Sequence, residues 1–172
     1  MNLSYSDFEL FGLPQRFAQD RAAIDARWKE LQREAHPDKF AAQGATAQRA
    51  ALQWSVRINE AYQRLKDPLK RAAYLCELMG SPLNAHVNTA MPPDFLMEQM
   101  EWREALEDAE DEDELDVLAH RLGANRKRML ARIEQLLDVD EDAEAAAQQV
   151  RALMFLERFG EDIENRLAQL GQ

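Results

Sequence analysis

Few side chains in this 172-residue sequence are of a kind that does chemistry, and their spacing narrows the choice. The single cysteine, Cys76, allows neither an internal disulfide nor a cysteine-based zinc or iron–sulfur cage within one chain. It reads as a small core residue. The three histidines, His36, His86 and His120, are far apart, and none belongs to an H-x3-H pair; His86 and His120 read as surface residues. The acidic run 107–116, EDAEDEDELD, lacks the glycine and the ligand order of a calcium loop and reads as a solvated turn. What remains is Arg33–Phe40, REAHPDKF, where His36 and Asp38 flank Pro37. A His–Asp pair can act as a base and its orienter, but it needs a nucleophile or a metal beside it in a pocket. No motif supplies that third member. We therefore expect no catalytic residue, no resident metal and no cofactor, and read the stretch as an exposed turn between two helices.

The elements that must hold this turn are helical. The sequence is rich in Ala, Leu, Glu, Gln and Arg, poor in β-branched residues, 46% apolar, and interrupted by only 6 Gly and 6 Pro, so an all-α fold is expected. The first half reads as four helices. A short one covers 6–12, capped by Ser6 and ended by Gly12 and Pro14. Asp20 opens the second, with Ile24, Trp28 and Leu31 at i, i+4 and i+7; Pro37 forces it to stop near Ala35. A loop containing Gly44 follows. The third helix runs from about Thr46, a possible cap, to Lys66, with Val56, Ile58, Ala61, Tyr62 and Leu65 on its inner side. Asp67-Pro68 restarts the chain as a fourth helix ending near Gly80.

Residues 81–93, SPLNAHVNTAMPP, carry three prolines and read as a linker between a domain at 1–80 and another at 94–172. Beyond it Asp94 caps a helix over about 95–109. A second spans about 113–137, with Leu115, Leu118, Leu122, Met129, Ile133 and Leu136 on one stripe. A third spans about 141–169, with Ala146, Val150, Leu153, Gly160, Ile163, Leu167 and Leu170 near a 3.5-residue repeat. Three long helices with short joints predict an antiparallel three-helix bundle.

Charge separates the halves. Net charge is −11, but residues 1–80 carry 12 Lys/Arg against 10 Asp/Glu, while 81–172 carry 9 against 22. The acidic half argues against a nucleic-acid partner, because a phosphate backbone requires basic neutralisation. The N-terminal MNLSYSDFEL reads neither as a basic leader nor as an apolar signal segment, and no apolar run approaches a membrane span. A cytoplasmic protein without a membrane partner is expected.

The turn acquires a meaning from its frame. HPDK at 36–39 follows an amphipathic helix carrying Trp28, Lys29 and Leu31, and INEAYQRLKDPLKRAAY follows at 58–74. Together these resemble the J domain of DnaJ-type co-chaperones, whose second run is matched by Ile58, Ala61, Tyr62, Leu65, Asp67, Pro68, Arg71 and Tyr74. Two positions depart from the usual J-domain pattern: Ala35 stands where an aromatic is common, and Glu34 where a lysine is common. The resemblance implies a loop that docks on a DnaK-type ATPase chaperone and stimulates its ATP hydrolysis. His36, Pro37 and Asp38 would form the contact core, and Arg27, Lys29, Arg33 and Lys39 would meet an acidic surface on the partner.

The second half carries neither a Gly/Phe-rich segment nor cysteine-rich modules. Instead FELFGLP at 8–14, HPDKF at 36–40, RAAYLCELMG at 71–80 and FLMEQMEWREAL at 95–106 resemble the HscB family, J-type co-chaperones of iron–sulfur cluster assembly. That resemblance implies that the bundle binds the cluster scaffold protein IscU and that the J domain recruits the ATPase HscA. Delivery of a different client by a J-type protein is the alternative. The residues themselves point to a binding face. On a helical wheel Phe95, Trp102, Leu106 and Ala109 fall within about 60° as a core stripe. Leu96, Met97 and Met100 lie on the opposite side among Glu101, Arg103 and Glu104, and Phe155 of the last helix lies off its own core stripe, where it can extend that patch. We expect these seven residues to meet the scaffold, with Met154 either core or contact; packing of the second stripe inside the molecule is the competing reading.

Overall fold

Ser6 starts the first helix with a reciprocal cap: its hydroxyl accepts the Glu9 N–H at 3.1 Å, and the Glu9 carboxylate accepts the Ser6 N–H at 3.2 Å. In the computed structural model, which describes residues 2–83 and 89–171, this helix is α1 (Asp7–Phe11), and Gly12 closes it at φ +64°. Then follow α2 (Arg21–Ala35), a 3-10 turn (Pro37–Gln43), α3 (Ala45–Lys66), α4 (Pro68–Leu78), α5 (Pro93–Asp108), α6 (Glu112–Glu134), a π-helical turn (Gln135–Val139) and α7 (Ala143–Leu170). No strand occurs among the described residues, and the fold is all-α: four helices in the first half followed by a three-helix bundle. His86, expected at the surface, lies outside the described residues. None of the described helices is long and apolar enough to cross a membrane.

Internal contacts divide the chain between Leu75 and Cys76, within α4. In the first unit Phe8, Phe11, Ile24, Leu31, Ile58, Ala61 and Leu65 are buried and form the core. Asp7 anchors α1 to α3 from a fully buried position. Its carboxylate takes both Nε and Nη2 of Arg64, at 2.5 and 2.8 Å, and Nη1 of Arg57 at 2.8 Å, while its N–H donates to the Tyr74 hydroxyl at 3.0 Å. Arg71 is buried as well, donating to the carbonyls of Phe17 and Leu65 at 2.8 and 2.5 Å with its guanidinium 4.9 Å from the Phe17 ring. Arg64, Arg71 and Tyr74 of the 58–74 run therefore serve the framework of the first unit.

Several expected details differ. Gly44, at φ +101°, precedes α3, so Thr46 lies inside the helix and does not cap it. Part of the expected loop is wound into the 3-10 turn. Val56 is half-exposed at 51%; the buried stripe of α3 is Ala51, Ile58, Ala61 and Leu65, and a residue two positions from Ile58 points away from it.

In the second unit α5 begins at Pro93, so Asp94 is inside the first turn rather than at the cap, and Pro92 holds the cap position. The core is Phe95, Trp102, Leu115, Leu118, Ile133, Leu136, Ala146, Val150, Leu153, Leu156, Phe159 and Ile163. Ala109 is buried but caps α5 from outside it, and Leu170 is exposed at the end of α7. A Cβ on Gly160 would stand 3.2 Å from Leu122 Cδ2, so the missing side chain lets α6 and α7 approach.

Candidate docking surfaces

The first surface surrounds the joint between α2 and the 3-10 turn. Pro37 excludes its predecessor from helical geometry, and His36 stands at φ −63° and ψ 128°. His36 then holds the turn from within. Its Nδ1 accepts the Asp38 N–H at 3.2 Å, and its carbonyl accepts the Lys39 N–H at 3.0 Å. An accepting Nδ1 carries no proton, so Nε2–H is the donor left for a partner. The Asp38 side chain is 92% exposed and that of His36 56%. Their closest approach, 3.6 Å from Nδ1 to Oδ2, is too long for the hydrogen bond of a base and its orienter. A solvent-exposed carboxylate on a pre-shaped turn is instead suited to a charge-assisted, two-point bond with a guanidinium.

Beside this turn lies a shallow hollow lined by Trp28, Lys29, Gln32, Arg33, His36 and Lys39. It brings together three of the four cations singled out in the sequence. Arg27 lies off it, paired to Glu30 at 3.1 Å on another face of α2. Trp28 and Gln32 were not expected here. Trp28 reads as core from its spacing, yet it is only half-buried, and Gln32 has no periodic signal at all.

Both are held by α3. Trp28 Nε1–H donates to Asn59 Oδ1 at 3.0 Å, and Gln32 Nε2 donates to the same oxygen at 2.7 Å. The Ser55 hydroxyl donates to Gln32 Oε1 at 3.0 Å. The Trp28 ring packs on Tyr62, centroids 4.6 Å apart, and the Tyr62 hydroxyl donates to Asp25 Oδ1 at 2.6 Å. That bond, with Arg21 beside it, holds the Asp25 carboxyl below its ordinary range; the same bond, together with burial, pushes the Tyr62 phenol up.

The second surface lies on α5. Phe95 and Trp102 turn inward and meet edge to face at 5.7 Å, and Trp102 stacks on Phe159 at 6.1 Å. The opposite face leaves Leu96, Met97 and Met100 exposed at 53, 70 and 67%. Phe155, on α7, meets α5 through Phe95 and Arg103. It is half-buried, packs edge-on against Phe95 at 6.1 Å, and carries the Arg103 guanidinium 5.4 Å from its ring centroid. Glu101, Arg103 and Glu104 are exposed, and Met154, next to Phe155, is at the surface rather than in the core. An apolar centre with a charged border is the composition of a protein-binding face.

Among the described residues no group of three or more His, Cys, Asp or Glu side chains is arranged to hold a metal ion. Cys76 is fully buried, and burial pushes its thiol up to about 11. His120 is exposed.

Residues 91–164 match the family described as the HSCB C-terminal oligomerisation domain. Over 173 aligned residues the chain is 47% identical to the co-chaperone protein HscB homolog of Burkholderia multivorans, covering 99% of this chain and 98% of that one. Among solved structures it resembles the chaperone HscB of Vibrio cholerae, with TM-score 0.83 and 38% identity over 96% of this chain and 99% of that one. It also resembles human co-chaperone protein HscB, with TM-score 0.88 and 26% identity over 96% of this chain and 84% of that one.

Proposed function

Because the chain belongs to the HscB family, J-type co-chaperones of iron–sulfur cluster assembly, we propose that it delivers the scaffold protein IscU to the DnaK-type ATPase HscA and stimulates ATP hydrolysis there. The reaction occurs in the partner; this chain contributes two contacts, in the bacterial cytoplasm. The J domain is 1–80, the scaffold-binding bundle 94–172, and 81–93 joins them. The observation that supports the reading is that one chain exposes a charged turn at His36-Pro37-Asp38 and, on α5, the apolar side chains Leu96, Met97 and Met100, with the half-buried Phe155 of α7 packed on that helix.

At the first surface Asp38 receives an arginine of HscA, His36 donates from Nε2, and Pro37 keeps the turn in one shape, reducing the ordering needed on binding. Lys29, Arg33 and Lys39, with Arg27 further along α2, draw an acidic partner surface in. At the second, the two methionines adapt to the scaffold while Glu101, Arg103 and Glu104 border the contact. Single-turnover hydrolysis by HscA tests the first: the intact protein raises the rate, and His36→Gln removes the increase while the far-ultraviolet circular dichroism stays unchanged. Titration of purified IscU tests the second: joint replacement of Leu96, Met97 and Phe155 by Ala weakens binding and leaves ATPase stimulation intact. Stimulation without IscU binding by the unaltered protein would assign the bundle to a different client.

A further inference from the structure

The hollow beside the docking turn has six lining residues, and two of them, Trp28 and Gln32, are tethered to a single oxygen on the neighbouring helix. That oxygen is Asn59 Oδ1, which accepts at 3.0 Å from the indole and at 2.7 Å from the amide. Asn59 is exposed on α3 and does not line the hollow itself. We propose that Asn59 is a positioning residue for chaperone docking: it fixes the Trp28 and Gln32 walls and, through the last turn of α2, the exit direction of the His36-Pro37-Asp38 turn. The proposal rests on reading that turn as the chaperone contact.

Three features support it. The oxygen is shared, so its removal takes one bond from each wall at once, whereas two separate acceptors would be lost independently. The tether is reinforced on both sides: Gln32 Oε1 also accepts from the Ser55 hydroxyl, its Nε2 reaches the Ser55 carbonyl at 3.5 Å, and the Trp28 ring lies on Tyr62, so the side chains are aimed as well as attached. Finally, Gln32 stands one helical turn before His36, which is itself the hinge of the docking turn through its bonds to Asp38 and Lys39. Solvent-exposed hydrogen bonds of this kind add little to global stability, so their consequence is geometric.

Asn59→Ala separates this role from a structural one. Alanine is the better helix former at an exposed position, so a merely structural Asn59 predicts an equal or higher melting temperature and unaltered docking. With the full chain and HscA, Asn59→Ala is expected to raise the co-chaperone concentration for half-maximal ATPase stimulation about five-fold, as loss of roughly one hydrogen bond's net contribution would. Maximal stimulation and IscU affinity stay as they were. Asn59→Asp keeps an oxygen acceptor at the same place and restores the half-maximal concentration. In the free protein, Asn59→Ala shifts the Trp28 indole N–H resonance and speeds amide exchange at Asp38 and Lys39. An unchanged half-maximal concentration, or no rescue by Asn59→Asp, overturns the proposal. The free-protein readout needs no chaperone: if HscA does not respond even to the unaltered protein, the proposed function falls, and unchanged exchange at Asp38 and Lys39 separately overturns the positioning role.

Discussion

Asp7 and Cys76 show how differently buried polar atoms are tolerated in the two units. Asp7 is fully buried, yet its carboxylate is met by two arginines and its amide by Tyr74. Breaking such a set leaves uncompensated charge, which costs far more than the set contributes when intact. Asp7→Asn should lower unfolding free energy by about 3 kcal/mol, read from the urea midpoint at unchanged slope. Cys76 is buried, and desolvation outweighs the opposing charge of Arg151 and raises its thiol from 9.0 to about 11. The sign follows from which state ionises first. Below pH 9 the thiol is neutral folded and unfolded; between 9 and about 11 only the unfolded chain loses the proton, so stability falls as pH rises. Over that interval the unaltered protein should lose about 2 kcal/mol more than Cys76→Ala, whatever the two differ by at neutral pH. The native thiol should also resist a disulfide reagent at pH 8 until the chain unfolds.

At the scale of elements, glycines and their neighbours give predictions of definite sign. Gly123 sits inside α6 with ordinary helical backbone and nothing within 4 Å of a Cβ, so Gly123→Ala should stabilise by about 0.5–1 kcal/mol. Glu141, in the joint before α7, is a non-glycine residue at φ +52°, where a side chain crowds its own carbonyl. Glu141→Gly should therefore also raise the melting temperature, although glycine ordinarily lowers it. The same elements show what the sequence carried. Caps with one local partner were legible: Ser6 with Glu9, Gly12, Asp20, and Asp67 before Pro68. So was the two-sided character of α5, because Leu96, Met97 and Met100 fall opposite Phe95 and Trp102 on any helical wheel. Less legible was whatever depends on a neighbour in space. Val56 looks like core until Ala51 and Ile58 fix which face of α3 is inward. Gly44 displaces Thr46 as the residue before α3 because the 3-10 turn brings the chain in at a positive φ. Trp28 and Gln32 are held in the wall of the hollow by bonds to Asn59, 31 and 27 positions away.

On the scale of the whole molecule, the charge asymmetry and the two surfaces predict different responses to salt. The His36-Pro37-Asp38 turn stands in the half with 12 Lys/Arg against 10 Asp/Glu, and the hollow beside it gathers Lys29, Arg33 and Lys39. Contacts of that kind act over a Debye length, which shrinks from about 10 Å at 0.1 M salt to about 3 Å at 1 M. The α5 patch is different. Its centre is Leu96, Met97, Met100 and Phe155, and the charges at its border include both signs in Glu101, Glu104 and Arg103. Removing apolar surface from water is not weakened by screening, and excluded salts strengthen it. The two affinities should therefore separate. Between about 0.1 M and about 1 M sodium chloride, the concentration for half-maximal ATPase stimulation should rise many-fold, while the dissociation constant for IscU changes by less than about two-fold. The slope of the first against log salt should shrink in Arg33→Ala and Lys39→Ala, and less in Arg27→Ala, whose guanidinium already faces Glu30. Equal salt slopes for both partners would mean that charge, not the Leu96–Met100 face, dominates scaffold capture. A salt-independent stimulation would remove the steering role of the cations around His36 while leaving the Asp38 contact in place.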